Sequence, residues 1–261
     1  MLRRVQSILL SSRPLFFGIH RPAFFSLLSV TYSQTFINQD VLTTPVDRRF
    51  RLILGLNILS VLVFLVMVIA YLAGSSFQGM DNWVNDGMSS LENGFLVEVF
   101  TLITYIGNVL SLIVMTLIVI VILLFKKRWN QLVVFMPSML SGWITYPVLK
   151  ALIQRARPEG PLVEVWGHAL PSGHASMSMI MFAGMIYCFR GDIVKRFQRR
   201  SFTFYCVALI VLVGFSRIYL SVHWLTDVLA GYGLGLFLLT GFILLFDHLH
   251  PWTRIRRKRT E

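Results

Sequence analysis

The chain has 261 residues, 56% of them hydrophobic, and a mean hydropathy of +0.69. A water-soluble domain of this length does not carry so much apolar sequence, which excludes an ordinary cytosolic enzyme and leaves a multi-pass membrane protein with one membrane domain. The formal charge of +12, from 24 basic and 12 acidic residues, gathers at the ends of apolar runs. Such placement fits anionic head groups and topology rather than nucleic acid.

Residues 1–47 form a basic extension of unassigned role. Arg3, Arg4, Arg13 and Arg21 are interleaved with Ser, Phe and Leu, and the first acidic residue is Asp40. Such a stretch reads as an amphipathic surface helix, a basic arm or a targeting peptide, and no run in it is long enough to span. The membrane domain covers residues 48–250, and a basic tail covers 251–261.

The first span runs from Leu52 to about Ala73, preceded by Arg48, Arg49 and Arg51. The loop from Gly74 to Glu98 holds only acidic charge: Asp81, Asp86, Glu92 and Glu98. A second span ends at Phe125, before Lys126-Lys127-Arg128, and a third runs from about Leu132 to Lys150 with kinks expected at Pro137 and Pro147. A polar loop follows, from Ala151 to Gly173. The fourth span is His174 to about Phe189, the fifth Phe202 to Tyr219, and the sixth Trp224 to Phe246. The basic clusters then all fall on one side if six spans alternate. The expectation is an all-α bundle of six transmembrane helices with both termini cytoplasmic. The Ala151–Gly173 loop and the turn around Ser221 share the extracytoplasmic face.

Three clusters meet on that face. In K-A-L-I-Q-R-A-R-P, Lys150 and Arg157 are seven residues apart and share a helical face if the helix continues that far. Two cations aimed at one point suit a phosphate. In P-S-G-H, Ser172 is a candidate N-cap, Gly173 allows close backbone approach, and a helix N-terminus attracts an anion. His174 stands where it could protonate a leaving oxygen. In S-R-I-Y-L-S-V-H-W-L-T-D, His223 and Asp227 are four apart, so a carboxylate can fix the imidazole tautomer and free the other nitrogen to attack. Arg217 could hold an anion against that nitrogen. A snorkelling arginine and a core histidine are the plain alternative for this last stretch alone. Paired histidines among three cations favour phosphoryl chemistry.

These patterns, K-x6-R-P, P-S-G-H and S-R-x5-H-x3-D, resemble the type 2 phosphatidic acid phosphatase (PAP2) superfamily, and all three are complete and in order between Lys150 and Asp227. The resemblance implies a membrane lipid phosphatase without cofactor or metal. In it His223 forms a phosphohistidine, Asp227 orients it, and His174 protonates the leaving group and then activates water. Lys150, Arg157, Ser172, Gly173 and Arg217 would hold the phosphoryl oxygens. The implied substrates are lipid phosphates or diphosphates: undecaprenyl diphosphate, phosphatidylglycerophosphate or phosphatidic acid, with the first slightly favoured. Catalysis by a neutral His223 and a protonated His174 implies a bell-shaped pH profile. A phosphotransferase using the same intermediate, and a non-catalytic lipid-phosphate binder or transporter, are the rival readings. The vanadate-dependent oxidases that share such a pocket are soluble.

Other residues receive lesser roles. His168, Arg155 and Glu164 read as loop residues, the alternative being that His168 touches the substrate and Arg155 or Glu164 a head group. Gly231, Gly233 and Gly235 let helices pack closely, and Trp83, Trp143, Trp166 and Trp224 fit interfacial belts. Cys188 and Cys206 lack metal-ligand spacing and imply no disulfide framework.

Overall fold

The computed structural model describes residues 45–74 and 77–250. The basic tail and nearly all of the N-terminal extension, with every role weighed for them, lie outside the described residues. The described fold is helical: α1 (Pro45–Leu72), α2 (Phe77–Ser90), α3 (Gly94–Ile106), α4 (Val109–Phe125), α5 (Trp129–Ile153), α6 (Gly173–Phe189), a single 3-10 turn (Arg190–Asp192), α7 (Arg196–Tyr219) and α8 (Leu225–Leu249). Among the described residues, four helices are long and apolar enough to cross a membrane: Arg48–Leu72 of α1, α5, α7 and α8. The bent pair α3–α4 can supply a fifth.

Two elements depart from expectation. The second span is broken, with α3 and α4 meeting at 42°. Asn108 causes the break by capping α4, its side-chain oxygen accepting from the Leu110 N–H at 3.1 Å. Gly107 beside it lets the chain press onto α7 and α6, since a Cβ there would collide with Val213 Cγ1 and lie 3.1 Å from His174 Cδ2 and 3.2 Å from Ser178 Oγ. The acidic loop after the first span is instead mostly helix. It forms α2, and Glu98 lies in α3, which Asn93 caps through the Phe95 N–H at 2.9 Å. Pro137 and Pro147 lie inside α5, which stays one helix throughout.

At the centre stands α6, packed against α8, α7 and α5. Its Met177, Ile180, Met181 and Phe182 join Leu112, Phe135 and Met139 in the principal core cluster. Covered by its neighbours, this helix needs no broad lipid-facing surface, and it carries Ser and Gly where α1 carries Leu and Val. The α8 glycines make the approach possible. A Cβ at Gly231 would sit 2.7 Å from Ser172 O and 2.9 Å from Ala175 Cβ, and one at Gly233 would sit 2.8 Å from Ser60 O of α1. Asn57 of α1 clasps the same helix, donating to Phe237 O at 3.0 Å and Thr240 Oγ1 at 2.9 Å. Cys188 and Cys206 are buried free thiols.

Candidate active site

The three clusters assemble at one end of the bundle, built from the C-termini of α5 and α7 and the N-termini of α6 and α8. The basic residues at the other ends of these helices lie far away, because α5 alone is 25 residues long and rises about 1.5 Å per residue. There Lys126 and Arg128 pair with Asp192.

Lys150 and Arg157 do not share a helix. The α5 helix stops at Ile153, where Gln154 takes a left-handed φ of 54° as C-cap. The following loop brings Arg157 back to the site. Backbone carbonyls hold its guanidinium: Nε donates to Gly167 O (2.9 Å), Nη2 to Trp166 O (3.0 Å) and Nη1 to Val222 O (2.6 Å). Its Nη1 also lies 3.4 Å from His223 Nε2. Lys150 Nζ donates to His168 O at 2.6 Å, so His168 contributes its backbone to the site. A planar fork fixed by neutral carbonyls keeps its charge and further N–H groups for an anion.

The turn after α7 is tight. Ser221 adopts φ 52°, and the Val222 and His223 N–H groups both donate to Arg217 O at 3.2 Å. His223 therefore precedes α8 instead of sharing a helical face with Asp227. Their spacing still works, with Nδ1 3.4 Å from Asp227 Oδ2. That oxygen also accepts from the Trp224 N–H at 2.9 Å, while Oδ1 accepts from Arg155. Burial pushes the His223 imidazole well below the usual histidine range, and the charges of Lys150, Arg217, Arg157 and His174 push it further. The ring is therefore neutral near pH 7, with Nδ1 toward the carboxylate and Nε2 toward Arg157.

Arg217 is 5% exposed. Its Nη1 donates to Thr104 Oγ1 of α3 at 2.8 Å, and its Nε has no partner among the described residues. Ser172 occupies the N-cap position of α6, yet its buried Oγ does not cap the helix and finds no partner among the described residues. A buried donor without a partner is costly, and both atoms belong to the predicted anion site. The Ser172 N–H donates to Asp227 O at 3.0 Å, which ties the start of α6 to the first turn of α8. Gly173 lies against Tyr146, whose ring a Cβ would meet at 2.7 Å. Together these residues can hold a tetrahedral oxyanion before a neutral imidazole.

Arg155 lies in the loop after α5 as expected, but its burial there was not foreseen. It is 3% exposed and pairs with both Asp81 of α2 (2.6 Å) and Asp227 (2.7 Å). The available signal was its position between Lys150 and Arg157, together with an isolated acidic segment opposite. Glu164 is exposed, as a loop residue should be. The tryptophans also divide. Trp83 and Trp166 are exposed, but Trp143 packs beside Tyr146, and Trp224 Nε1 donates to Ala156 O at 3.0 Å. Among the described residues, no three His, Cys, Asp or Glu side chains group as metal donors.

Known proteins resemble this chain in sequence and fold. Phosphatidylglycerophosphatase B of Bacillus subtilis (strain 168) is 30% identical over 191 residues, covering 70% of this chain and 93% of that protein. The crystal structure of a transmembrane PAP2-type phosphatidylglycerolphosphate phosphatase from Bacillus subtilis matches with a TM-score of 0.64 at 26% identity, over 74% of this chain and 96% of that one. Aquifex aeolicus LpxE matches with a TM-score of 0.49 at 20% identity, over 64% and 93% of the two chains. Residues 109–250 match the PAP2 superfamily, a stretch holding every motif residue from Lys150 to Asp227, and the chain belongs to that superfamily.

Proposed function

We propose that this membrane protein hydrolyses the phosphomonoester of phosphatidylglycerophosphate through a phosphohistidine at His223. The observation that carries the reading is a buried imidazole with Nδ1 3.4 Å from Asp227 and Nε2 3.4 Å from Arg157, near enough to Lys150, Arg217 and His174 for their charges to act on it. The 30% identical relative named for phosphatidylglycerophosphate favours that substrate over undecaprenyl diphosphate and phosphatidic acid.

In this mechanism Lys150, Arg157, Arg217, Ser172 and the Gly173 N–H bind the phosphoryl oxygens. His223 Nε2 attacks phosphorus, the P–O bond to the lipid breaks, and His174 gives its proton to the leaving oxygen. Water then attacks phosphorus while His174 takes its proton. The P–N bond breaks and inorganic phosphate leaves. Asp227 holds the Nδ1 proton and balances the charge on the imidazole. No step requires a metal.

The proposed topology counts α1, the α3–α4 pair, α5, α6, α7 and α8 as six spans. The 17 residues of α6 rise about 1.5 Å each, close to the thickness of the hydrocarbon layer. Both termini would then be cytoplasmic and the site extracytoplasmic in the cell membrane, with the lipid tail remaining in the bilayer. Residues 48–250 are the catalytic domain in this reading.

The test is phosphate release by the detergent-purified protein in excess EDTA, from phosphatidylglycerophosphate, undecaprenyl diphosphate and phosphatidic acid. Release surviving EDTA, fastest from the first lipid, is expected. Loss of release on chelation, restored by a divalent ion, would overturn the metal-free mechanism. Product analysis with an added acceptor lipid separates hydrolysis from phosphotransfer.

The pH profile has a defined sign. Protonated His223 cannot attack, and its site resists protonation, so kcat/KM should rise with pH through a midpoint below the usual histidine value of about 6.5. An acid limb centred above that value would contradict the burial and charge environment of His223.

A further inference from the structure

We infer that Asp81 and Arg155 are positioning residues, which through Asp227 set the orientation and basicity of His223. The inference rests on the reading of His223 as the nucleophile. None of the three motifs assigns either residue a role, and Asp81 lies outside the stretch that matches the superfamily.

The geometry is closed on all sides. Arg155 Nη1 donates to Asp227 Oδ1 (2.7 Å) and Thr226 Oγ1 (2.6 Å), and Nη2 donates to Asp81 Oδ2 (2.6 Å). The Thr226 hydroxyl passes its own proton to Asp81 Oδ2 at 2.6 Å, and the Thr226 N–H donates to Asp81 Oδ1 at 3.0 Å. The Tyr71 and Trp224 rings lie 4.9 Å and 5.6 Å from the guanidinium carbon. With its charge taken up by two carboxylates, where Arg157 is held by neutral carbonyls, Arg155 is not built to receive a phosphate. Asp81, Arg155 and Asp227 are 1%, 3% and 0% exposed.

An ion pair serving only to dock α2 could use any carboxylate. This guanidinium instead grips the carboxylate that faces the catalytic imidazole. With Oδ1 held by Arg155 and Oδ2 by the Trp224 N–H, the Asp227 carboxylate cannot rotate, and the oxygen presented to His223 is selected. Charge follows the same path. Two carboxylates against one guanidinium leave a net negative site behind an imidazole that otherwise faces Lys150, Arg157, Arg217 and His174. Outer partners that orient a catalytic histidine act in this way.

The two residues therefore have opposite electrostatic signatures. Asp81→Asn removes negative charge and should move the His223 titration to lower pH. Arg155→Gln removes positive charge and should move it to higher pH. Because Arg155→Gln leaves two buried carboxylates unopposed, the Asp81→Asn/Arg155→Gln pair is made as well. Within it, the Arg155 change should raise the midpoint relative to Asp81→Asn alone. The readout is the 15N resonance of His223 in histidine-labelled protein in detergent micelles, assigned by its loss in His223→Ala. The kcat for phosphatidylglycerophosphate should fall about 10- to 100-fold in each variant, with KM within about twofold. Midpoints unmoved, or moving together in one direction, would overturn the inference even if His223→Ala is inactive. An active His223→Ala would instead remove the nucleophile reading on which it stands.

Discussion

Replacing His223 by alanine is expected to lower phosphate release by about 10⁴-fold or more, because the variant has no atom to carry the phosphoryl group. The three cations and the α6 N-terminus remain, so substrate binding should survive and KM should change little. His174→Gln should cost a similar factor, since the proposed mechanism uses one imidazole both as acid to the leaving oxygen and as base to the water. A rapid acid-free quench of the wild type during turnover should trap label on the protein that is stable in alkali and lost in acid, as expected for a phosphoramidate. The label should be absent from His223→Ala. Activity of His223→Ala within tenfold of wild type would sink the phosphohistidine mechanism.

Gly231→Ala should be a damaging small substitution outside the motif residues. Its Cβ would sit 2.7 Å from Ser172 O, 2.9 Å from Ala175 Cβ and 3.2 Å from Ser176 N. Two of these atoms are backbone and cannot swing aside, so α6 and α8 must separate. Overpacking of this kind costs about 1–3 kcal/mol. The displaced residue is Ser172, whose N–H bonds Asp227 O across the same seam. A shift of about 1 Å there should lower kcat/KM by about 10²-fold. Gly241→Ala is the internal control on the same helix, because its Cβ would find only Asn57 Nδ2 at 3.7 Å. Thermal unfolding in detergent and kcat/KM, measured on both variants, check the contrast. Equal effects would show that the α6–α8 seam tolerates a methyl group.

Much of the site was legible because its chemistry conflicts with its surroundings. Lysine, arginine, histidine and aspartate beside hydrocarbon require a reason, and their spacing from Lys150 to Asp227 supplied one. The reading of partners was less reliable. Periodicity suggested that Lys150 and Arg157 share a helix and that His223 and Asp227 share another. Both pairs straddle helix ends, at Gln154 and at Trp224. In each case the chain turned sharply and still brought the side chains to the same place. Helical spacing was a sufficient guide to proximity but not to the local backbone.

The N–H groups that end a helix and the carbonyls that fix a guanidinium are invisible in composition, so the loop carbonyls around Arg157 could not be foreseen. Arg155 is the sharper case. In sequence it is one more basic residue in a polar loop. Its role depends on Asp81, 74 residues earlier, on a helix that an acidic polar stretch did not announce.

The sequence by itself determined the membrane class, the helical architecture and the identity of the charged residues around one end of the bundle. It could do so because apolar length and charge at span ends are local properties, and hydrocarbon penalises any departure from them. Only the tertiary structure decided the bend at Gly107 that sets α3 against α7 and α4 against α6, the helix approach at Gly231, and the Asp81–Arg155–Asp227 clamp behind His223. Each depends on two segments distant in the chain meeting at van der Waals or hydrogen-bond distance. That information resides in the packing of α6 against its neighbours, and no single stretch of the chain contains it.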